Sequence, residues 1–244
     1  MGRKCALSIS SLLAALALLT SCNRPISETR AAAESSRSRT SDTAVRPAFV
    51  RLVNVYADAF QADLYAGDRR LFNGVSDQTV TAYEPLEPQL TQFSIAEAGK
   101  PDKPLATKTE ELSGGKYYSL LAYDDGKGRP LLRIVKDDAK ASGMGKSRVR
   151  IIPAPGLDFV EIYAGGRREK LASEDGSTAT SQWQEGDPVD THIEVRTSDE
   201  QDGFVLLPRI ELKGYKSYTF VVSGGHKASR KLHALAIEEG HGKG

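Results

Sequence analysis

The chain has 244 residues and is almost balanced in charge, with 33 Lys and Arg against 32 Asp and Glu and a formal net charge of +1 at pH 7. The lack of a basic excess excludes a protein that holds nucleic acid by general electrostatic attraction. Both cysteines, Cys5 and Cys22, lie close to the N-terminus, so no intramolecular disulfide and no thiol catalysis are expected in the body that follows.

Residues 1–21 predict a secretory signal peptide. Arg3 and Lys4 form a basic start, and an apolar run broken only by serines extends from Ala6 to Leu19 without an acidic residue. A basic segment, a short apolar segment and small residues in this order are typical of export signals. The run is shorter than the ~20 apolar residues that span a bilayer, so a transmembrane anchor is not expected.

Leu19-Thr20-Ser21, directly before Cys22, resemble the lipobox of bacterial lipoproteins. The resemblance implies that Cys22 is lipidated, with acyl chains such as palmitate, and becomes the first residue of the mature chain. Each buried CH₂ contributes roughly 0.8 kcal/mol to membrane binding, so three acyl chains hold the protein firmly. Asn23, by the same resemblance, permits export to the outer membrane. The alternative is an ordinary secretory signal with a cysteine near its cleavage site.

The lipidated Cys22 and the residues up to 47 predict a flexible tether. This stretch is rich in Ser, Ala, Thr and Arg and has almost no large apolar residues, so it cannot bury enough surface to order itself. The expected location is therefore the cell membrane or outer membrane, with the globular part outside the cytoplasm, in the periplasm or at the cell surface.

The sequence after the tether predicts two copies of one domain, at residues 48–138 and 148–238. A linker at 139–147 joins them, and a disordered tail follows at 239–244. Both units end a strand in Tyr-Ala-Gly, at Tyr65 and at Tyr163. Further along, the spacing stays in step, and four positions of the first unit match four of the second: Leu112, Gly114, Lys116 and Tyr118 with Leu212, Gly214, Lys216 and Tyr218. A period of this length indicates a domain duplication, since solenoid repeats are much shorter.

Each unit predicts an all-β fold. Val50 and Leu52 alternate with Arg51 and Val53, and the second unit repeats the pattern around Arg150. Short period-2 runs separated by Gly-, Pro- and Asp-rich turns are typical of strands. Seven or eight strands in about 90–100 residues favour an immunoglobulin-like β-sandwich, so we expect two such sandwiches in tandem.

The segments "VRLVNV", "ADLYAGDRRLF" and "LSGGKYYSLLAY" resemble the bacterial domain of unknown function 4397 family. This resemblance implies exported β-sandwiches, often in tandem and often on lipoproteins, and supplies no agreed catalytic residues. A shorter and weaker likeness is to the periplasmic accessory protein of alginate O-acetylation.

No motif predicts catalysis, a cofactor or a metal site. "SGMGKS" at 142–147 lacks the first glycine of a phosphate-binding loop, and the histidines, all in the second unit or the tail, show no ligand spacing. The aromatic residues are the remaining candidates. Tyr83, Trp183, Tyr117 and Tyr118 could form a platform for a ligand such as a sugar, or they could fill the core as most aromatic residues in sandwiches do.

The leading hypothesis is a non-enzymatic, lipid-anchored protein of the cell envelope that presents two β-sandwiches for binding or scaffolding. The alternative is an accessory protein of exopolysaccharide O-acetylation that binds the polymer or a partner acetyltransferase. The expected partners are the membrane, through the N-terminal lipid, and a polysaccharide or an envelope protein; nucleic acid is not among them.

Overall fold

A computed structural model describes residues 45–56, 61–125, 128–137, 143, 145–157, 159–165, 169–175, 182–197, 204–224 and 232–240. The predicted signal peptide, Cys22 and the tether up to residue 44 lie outside these residues. Every element in the described part is a β-strand, so the all-β prediction is confirmed. Among the described residues there is accordingly no apolar helix of membrane-spanning length.

Nine strands form the first half: β1 (Ala48–Asn54), β2 (Ala62–Ala66), β3 (Arg69–Val75), β4 (Thr79–Val80), β5 (Glu84–Leu86), β6 (Leu90–Glu97), β7 (Pro104–Glu111), β8 (Tyr117–Asp124) and β9 (Pro130–Asp137). The second half has eight: β10 (Ser147–Pro153), β11 (Phe159–Ala164), β12 (Glu169–Asp175), β13 (Gln184–Gly186), β14 (Val189–Thr197), β15 (Phe204–Leu212), β16 (Ser217–Ser223) and β17 (His233–Glu239).

These strands form four sheets, two in each half. The first inner sheet has the order β4-β1-β8-β9, with β5 also on β1, and the first outer sheet has the order β3-β2-β6-β7. The second inner sheet is β13-β10-β16-β17 and the second outer sheet is β12-β11-β14-β15. Each half is therefore a two-layer sandwich, and the two share the same strand plan.

In both halves, the first strand pairs in parallel with the penultimate one. β1 pairs with β8, so that Arg51 lies opposite Ser119, and β10 pairs with β16, so that Arg150 lies opposite Thr219. The remaining pairings are antiparallel. These parallel pairs depart from the wholly antiparallel sheets of an immunoglobulin constant-type sandwich, and the immunoglobulin-like class stays a prediction.

The alternation predicted for β1 is confirmed and shows where the cores lie. Val50 and Leu52 point into the first sandwich, where they belong to the same buried cluster as Leu64 and Phe93 of the outer sheet. Val53, on the opposite face of β1, belongs to a second buried cluster that is formed mainly by the second half. Both faces of the inner sheet are therefore covered.

Two predicted boundaries differ from the strands. Glu239, assigned by sequence to the disordered tail, is the last residue of β17 and is buried. Ser147, assigned to the linker, begins β10 and is buried as well. A charged or small polar residue at the end of an apolar run resembles a boundary when its partner, distant in sequence, is unknown. The domain limits themselves stay a prediction.

Candidate functional site

Four charged side chains meet between the two inner sheets. Arg51 of β1 and Arg150 of β10 are only 4% and 3% exposed, and they lie beside the buried carboxylates of Asp137 and Glu239. Arg51 Nη2 lies 2.7 Å from Glu239 Oε2, and Arg150 Nη2 lies 2.5 Å from Asp137 Oδ1. Each arginine therefore makes its shorter ion pair with the opposite half of the chain.

The pairs within each half are longer. Arg51 Nη2 lies 3.7 Å from Asp137 Oδ2, and Arg150 Nη2 lies 3.2 Å from Glu239 Oε1. The two arginines and two carboxylates thus form one group, called here the charge cluster, whose formal charge sums to zero. Ion pairs taken out of water need close geometry and further hydrogen bonds to offset the cost of desolvation.

Two hydroxyl groups provide those hydrogen bonds at equivalent places. Arg51 Nε donates to Ser119 Oγ at 2.7 Å, and that hydroxyl donates to Asp137 Oδ2 at 2.7 Å. In the second half, Arg150 Nε donates to Thr219 Oγ1 at 2.7 Å, and this hydroxyl donates to Glu239 Oε1 at 2.5 Å. The parallel register of the inner strands places each hydroxyl directly opposite its arginine, so the repeated sheet plan produces the repeated network.

An aromatic ring covers each arginine. The Arg51 guanidinium lies 4.7 Å from the centre of the Tyr83 ring, and the Arg150 guanidinium lies 4.6 Å from that of Trp183, which Arg148 also contacts at 4.8 Å. Tyr83 further donates its hydroxyl to Asp137 Oδ2 at 2.8 Å. Tyr83 and Trp183 therefore have equivalent roles in the two halves, because both make cation–π contacts with the charge cluster.

Burial and charge shift the pKa values of two members of this site. Burial alone would lower the pKa of the Arg51 guanidinium, but the carboxylates of Glu239 and Asp137 outweigh it, and the net shift is upward. Burial raises the pKa of the Tyr83 phenol, and the negative charge of Asp137 raises it further. Both groups are therefore held in the protonated form at neutral pH.

The structure divides the four predicted platform residues. Tyr83 and Tyr117 meet edge to face at 5.0 Å between ring centres, and Tyr117 stacks on Phe49 at 4.7 Å. Trp183 lies on the second half, over its arginines. Tyr118 is on the opposite face of β8 with 0% exposure, so its ring offers no surface to a ligand and that part of the platform prediction is wrong.

Tyr118 has a structural contact instead, and the second half repeats it. The Tyr118 hydroxyl accepts a hydrogen bond from the backbone N–H of Ser113 at 2.9 Å. The Tyr218 hydroxyl accepts one from the N–H of Lys213, also at 2.9 Å. The equivalence of positions 118 and 218 predicted from sequence is thereby confirmed in three dimensions.

Sequence reasoning missed the charge cluster, although a signal was present. Arg51 stands between the apolar residues Val50 and Leu52, and the equivalent Arg150 stands between Val149 and Ile151. A cation at the same place in two copies of a β-strand would have indicated a buried partner. The carboxylates gave less indication, because each lies at the end of a strand where a solvated charge is common.

Other surface features are separate from the charge cluster. Open grooves of about 370, 410 and 560 Å³ are lined by none of its members. In the part of the chain that the structure describes, there is no group of three or more His, Cys, Asp and Glu that could hold a metal ion.

Comparison with known protein families finds one match, which covers part of the chain. A DUF4397 domain, described as a domain of unknown function, is found at residues 48–163. The DUF4397 match begins at the first residue of β1, includes the whole first half and ends within β11. It therefore includes both arginines of the charge cluster and Asp137, whereas Glu239 lies beyond it.

More distant comparisons concern whole structures. No curated protein matches the chain significantly. The Bacillus anthracis TIE protein matches 73% of this chain with 34% of its own length, at 10% identity and a TM-score of 0.24. CBMbc (family CBM26) of Eubacterium rectale Amy13K, solved in complex with maltoheptaose, matches 80% of this chain with 97% of its own, at 13% identity and a TM-score of 0.24. The chain thus spans about a third of the first of these proteins, and at such TM-scores neither match supports an argument about function.

Proposed function

We propose that this chain is a non-enzymatic binding or scaffolding protein of the bacterial cell envelope, held at the membrane by lipid on Cys22. Its two sandwiches form a single rigid module, whose outer faces and turns are presented to a partner. The charge cluster is the observation that carries the single-module part of this proposal, because its two shorter ion pairs join the halves and would break if the halves separated.

Further contacts between the halves support a fixed arrangement. Arg133 Nη1 donates to the carbonyl oxygen of Pro153 at 3.2 Å, and Gln78 Nε2 lies 2.9 Å from His233 Nδ1. Val53 and Leu121 of the first half share one buried cluster with the second. Domains that share a small polar interface are expected to move relative to one another, whereas this interface combines an apolar cluster with buried, mutually paired charges.

The non-enzymatic part of the proposal rests on the contacts of the two groups whose pKa values are shifted. Groups with strongly shifted pKa values often mark active sites, but ion-pair networks within a structure shift them as well. Arg51 and Tyr83 belong to the second kind, since the charges that shift their pKa values are those of Asp137, Glu239 and one another inside the interface. Their chemistry serves cohesion between the halves.

Retention on envelope material tests the binding function. The full chain, purified in detergent, is passed over two columns. One carries immobilised envelope polysaccharide and the other carries immobilised envelope proteins that were extracted with detergent. The proposal predicts saturable retention by one of the two without any change in that material. Absence of retention by both, or release of reducing ends or of acetate during retention, would overturn it.

Membrane partition tests the anchor separately. Cys22→Ser removes the thiol that the lipid requires, so the variant should leave the membrane fraction while the wild-type chain stays in it. Asn23→Ser is the matched control, because it changes the neighbouring residue and keeps the thiol. Equal partition of the wild-type and Cys22→Ser chains would contradict lipidation.

The alternative of an accessory role in polysaccharide O-acetylation stays a prediction. It requires that the retaining partner be either an acetylated polymer or an acetyltransferase. Deletion of the gene should then lower the acetyl content of the exopolysaccharide, and an unchanged acetyl content would exclude this role.

A further inference from the structure

The turn at residues 213–216, called here the Tyr215 turn, contains an unusual backbone conformation. Tyr215 has φ = 65°, in the left-handed region that side chains other than glycine rarely adopt. The equivalent turn of the first half, residues 113–116, has Gly115 at this position with φ = 73°. The same fold therefore uses a glycine in one copy and a bulky tyrosine in the other.

Neighbouring backbone packs closely against both turns. A Cβ atom on Gly114 would lie 2.5 Å from the carbonyl oxygen of Arg46, and one on Gly214 would lie 2.5 Å from that of Gly145. The next residue then donates its N–H at 2.8 Å, Gly115 to Pro47 and Tyr215 to Lys146. A turn with this pattern normally takes glycine or asparagine at its third position.

The side chain of Tyr215 lies mostly in solvent, with its hydroxyl near Gly145. Tyr215 is 67% exposed, more than any other aromatic side chain in the described ranges. The other aromatic candidates, Tyr83 and Trp183, instead pack on the arginines of the charge cluster. A strained residue held outward in this way indicates a role in binding rather than in folding.

The groups around Tyr215 are polar and balanced in charge. Lys146 Nζ lies 2.5 Å from Asp187 Oδ1, Lys216 Nζ lies 2.8 Å from Glu238 Oε1, and Lys213 Nζ lies 3.4 Å from Glu211 Oε2. Each cation next to the turn thus has a carboxylate beside it. The rim offers hydrogen-bond donors and acceptors together and gives no net attraction to a polyanion.

We infer that the Tyr215 turn is a contact site for a neutral saccharide. One face of the tyrosine ring can stack on the C–H face of a pyranose ring, while the lysines donate to its hydroxyl oxygens and the carboxylates accept from its hydroxyl groups. A protein partner fits less well, since the centre of a protein–protein interface is depleted of charged residues. This inference rests on the binding function proposed above and names its ligand class.

Calorimetric titration of the full chain in detergent micelles tests the inference. The probes are neutral oligomers of glucose with α-1,4 and with β-1,4 linkages, an oligomer of N-acetylglucosamine, and an oligouronate as the anionic comparison. At least one neutral oligomer should bind more tightly than the oligouronate. Tyr215→Gly should weaken that binding about tenfold or more and at the same time raise the Tm. Tyr215→Phe, which keeps both ring and strain, should bind like the wild type.

The opposite results are equally defined. The inference is wrong if none of the neutral oligomers binds, or if Tyr215→Gly binds them as tightly as the wild type. Reduced retention of an envelope protein by Tyr215→Gly, without any saccharide binding, would assign the turn to a protein partner and would also overturn the inference. The proposed binding function survives each of these results if the chain is still retained by envelope material, and fails if it is not.

Discussion

The inner sheets of the two halves carry matching side chains where they face one another and different ones where they meet solvent. Arg51 and Arg150 occupy the same place in their sheets, and the hydroxyls of Ser119 and Thr219 serve them in the same way. At the exposed turns, by contrast, Gly115 is matched by Tyr215. The two copies are therefore alike where they pack on one another and differ at an exposed turn.

The two halves exchange partners in the charge cluster, so each depends on the other for its shorter ion pair. Because each arginine is closer to the carboxylate of the other half, removal of an arginine from one copy takes away the shorter ion pair of a carboxylate in the other and leaves the buried cluster with a net charge. Such an arrangement resembles the self-complementary contact of a two-fold dimer, in which the same patch serves on both sides. Here one chain supplies both patches.

The largest expected effect comes from removing one charge of the cluster. Arg51→Met leaves Glu239 without its 2.7 Å partner inside the interface, and loss of one member of a buried ion pair costs about 3–5 kcal/mol. Chemical denaturation of the variant should show this loss in the free energy of unfolding. Arg209→Met is the control, since its exposed pair with Asp190 should contribute only about 0–1 kcal/mol. Equal losses in the two variants would refute the special role of the interface.

A smaller, pH-dependent loss of stability is expected when the hydroxyl of Tyr83, the ring over Arg51, is removed. Tyr83→Phe removes the hydrogen bond to Asp137, and a bond to a charged group contributes about 1.5–3 kcal/mol. Since the pKa of Tyr83 is raised above its ordinary value of 10.0, its contribution is complete below pH 10 and is lost as the pH rises beyond it. Denaturation at several pH values should therefore show a shallower alkaline decline for Tyr83→Phe. An unchanged alkaline slope would contradict this.

The next prediction compares the equivalent core tyrosines. Tyr118→Phe and Tyr218→Phe each remove the acceptor of a backbone N–H, from Ser113 and Lys213 respectively, and Tyr218→Phe also removes the donor to the carbonyl oxygen of Glu211. A hydrogen bond of this kind contributes about 0.5–1.5 kcal/mol, so thermal unfolding should show a modest loss in both variants and the larger one in Tyr218→Phe. A loss in only one of them would show that the two sandwiches use this contact differently.

The smallest expected effect is a gain in stability. Tyr215→Gly relieves a left-handed backbone that costs a non-glycine residue roughly 1–2 kcal/mol. A new glycine also raises the conformational entropy of the unfolded chain, which lowers the free energy of unfolding by about 0.4–1 kcal/mol. The net gain should be about 0.5–1 kcal/mol in the free energy of unfolding. Gly115→Tyr, the reciprocal change, should lower stability in the same measurement. A stability loss in Tyr215→Gly would mean that the tyrosine side chain supports the turn.

Much of the architecture followed from sequence because it depends on local patterns. Alternation around Val50 and Leu52 identifies the buried face of β1, and the matched spacing of Tyr118 and Tyr218 identifies the repeat. The candidate site was only partly predictable. The sequence predicts Tyr83 and Trp183 as ligand contacts because of their aromatic faces. The arginines that pack on those faces come from strands remote in sequence. The strain at Tyr215 was not predictable from sequence, because it is a property of the backbone angles.

By itself, the sequence determined the all-β class, the duplication and which residues share a face of each strand. Period-2 alternation and repeated spacing can both be read directly from the order of the residues. What lies against each face was decided by the tertiary structure. Arg51 and Arg150 stand where an isolated sandwich would expose them to water, and only the packing of one inner sheet on the other turns them into buried charges. The reason is physical: alternation fixes the direction of a side chain, whereas its environment depends on chain segments that are up to 188 residues away.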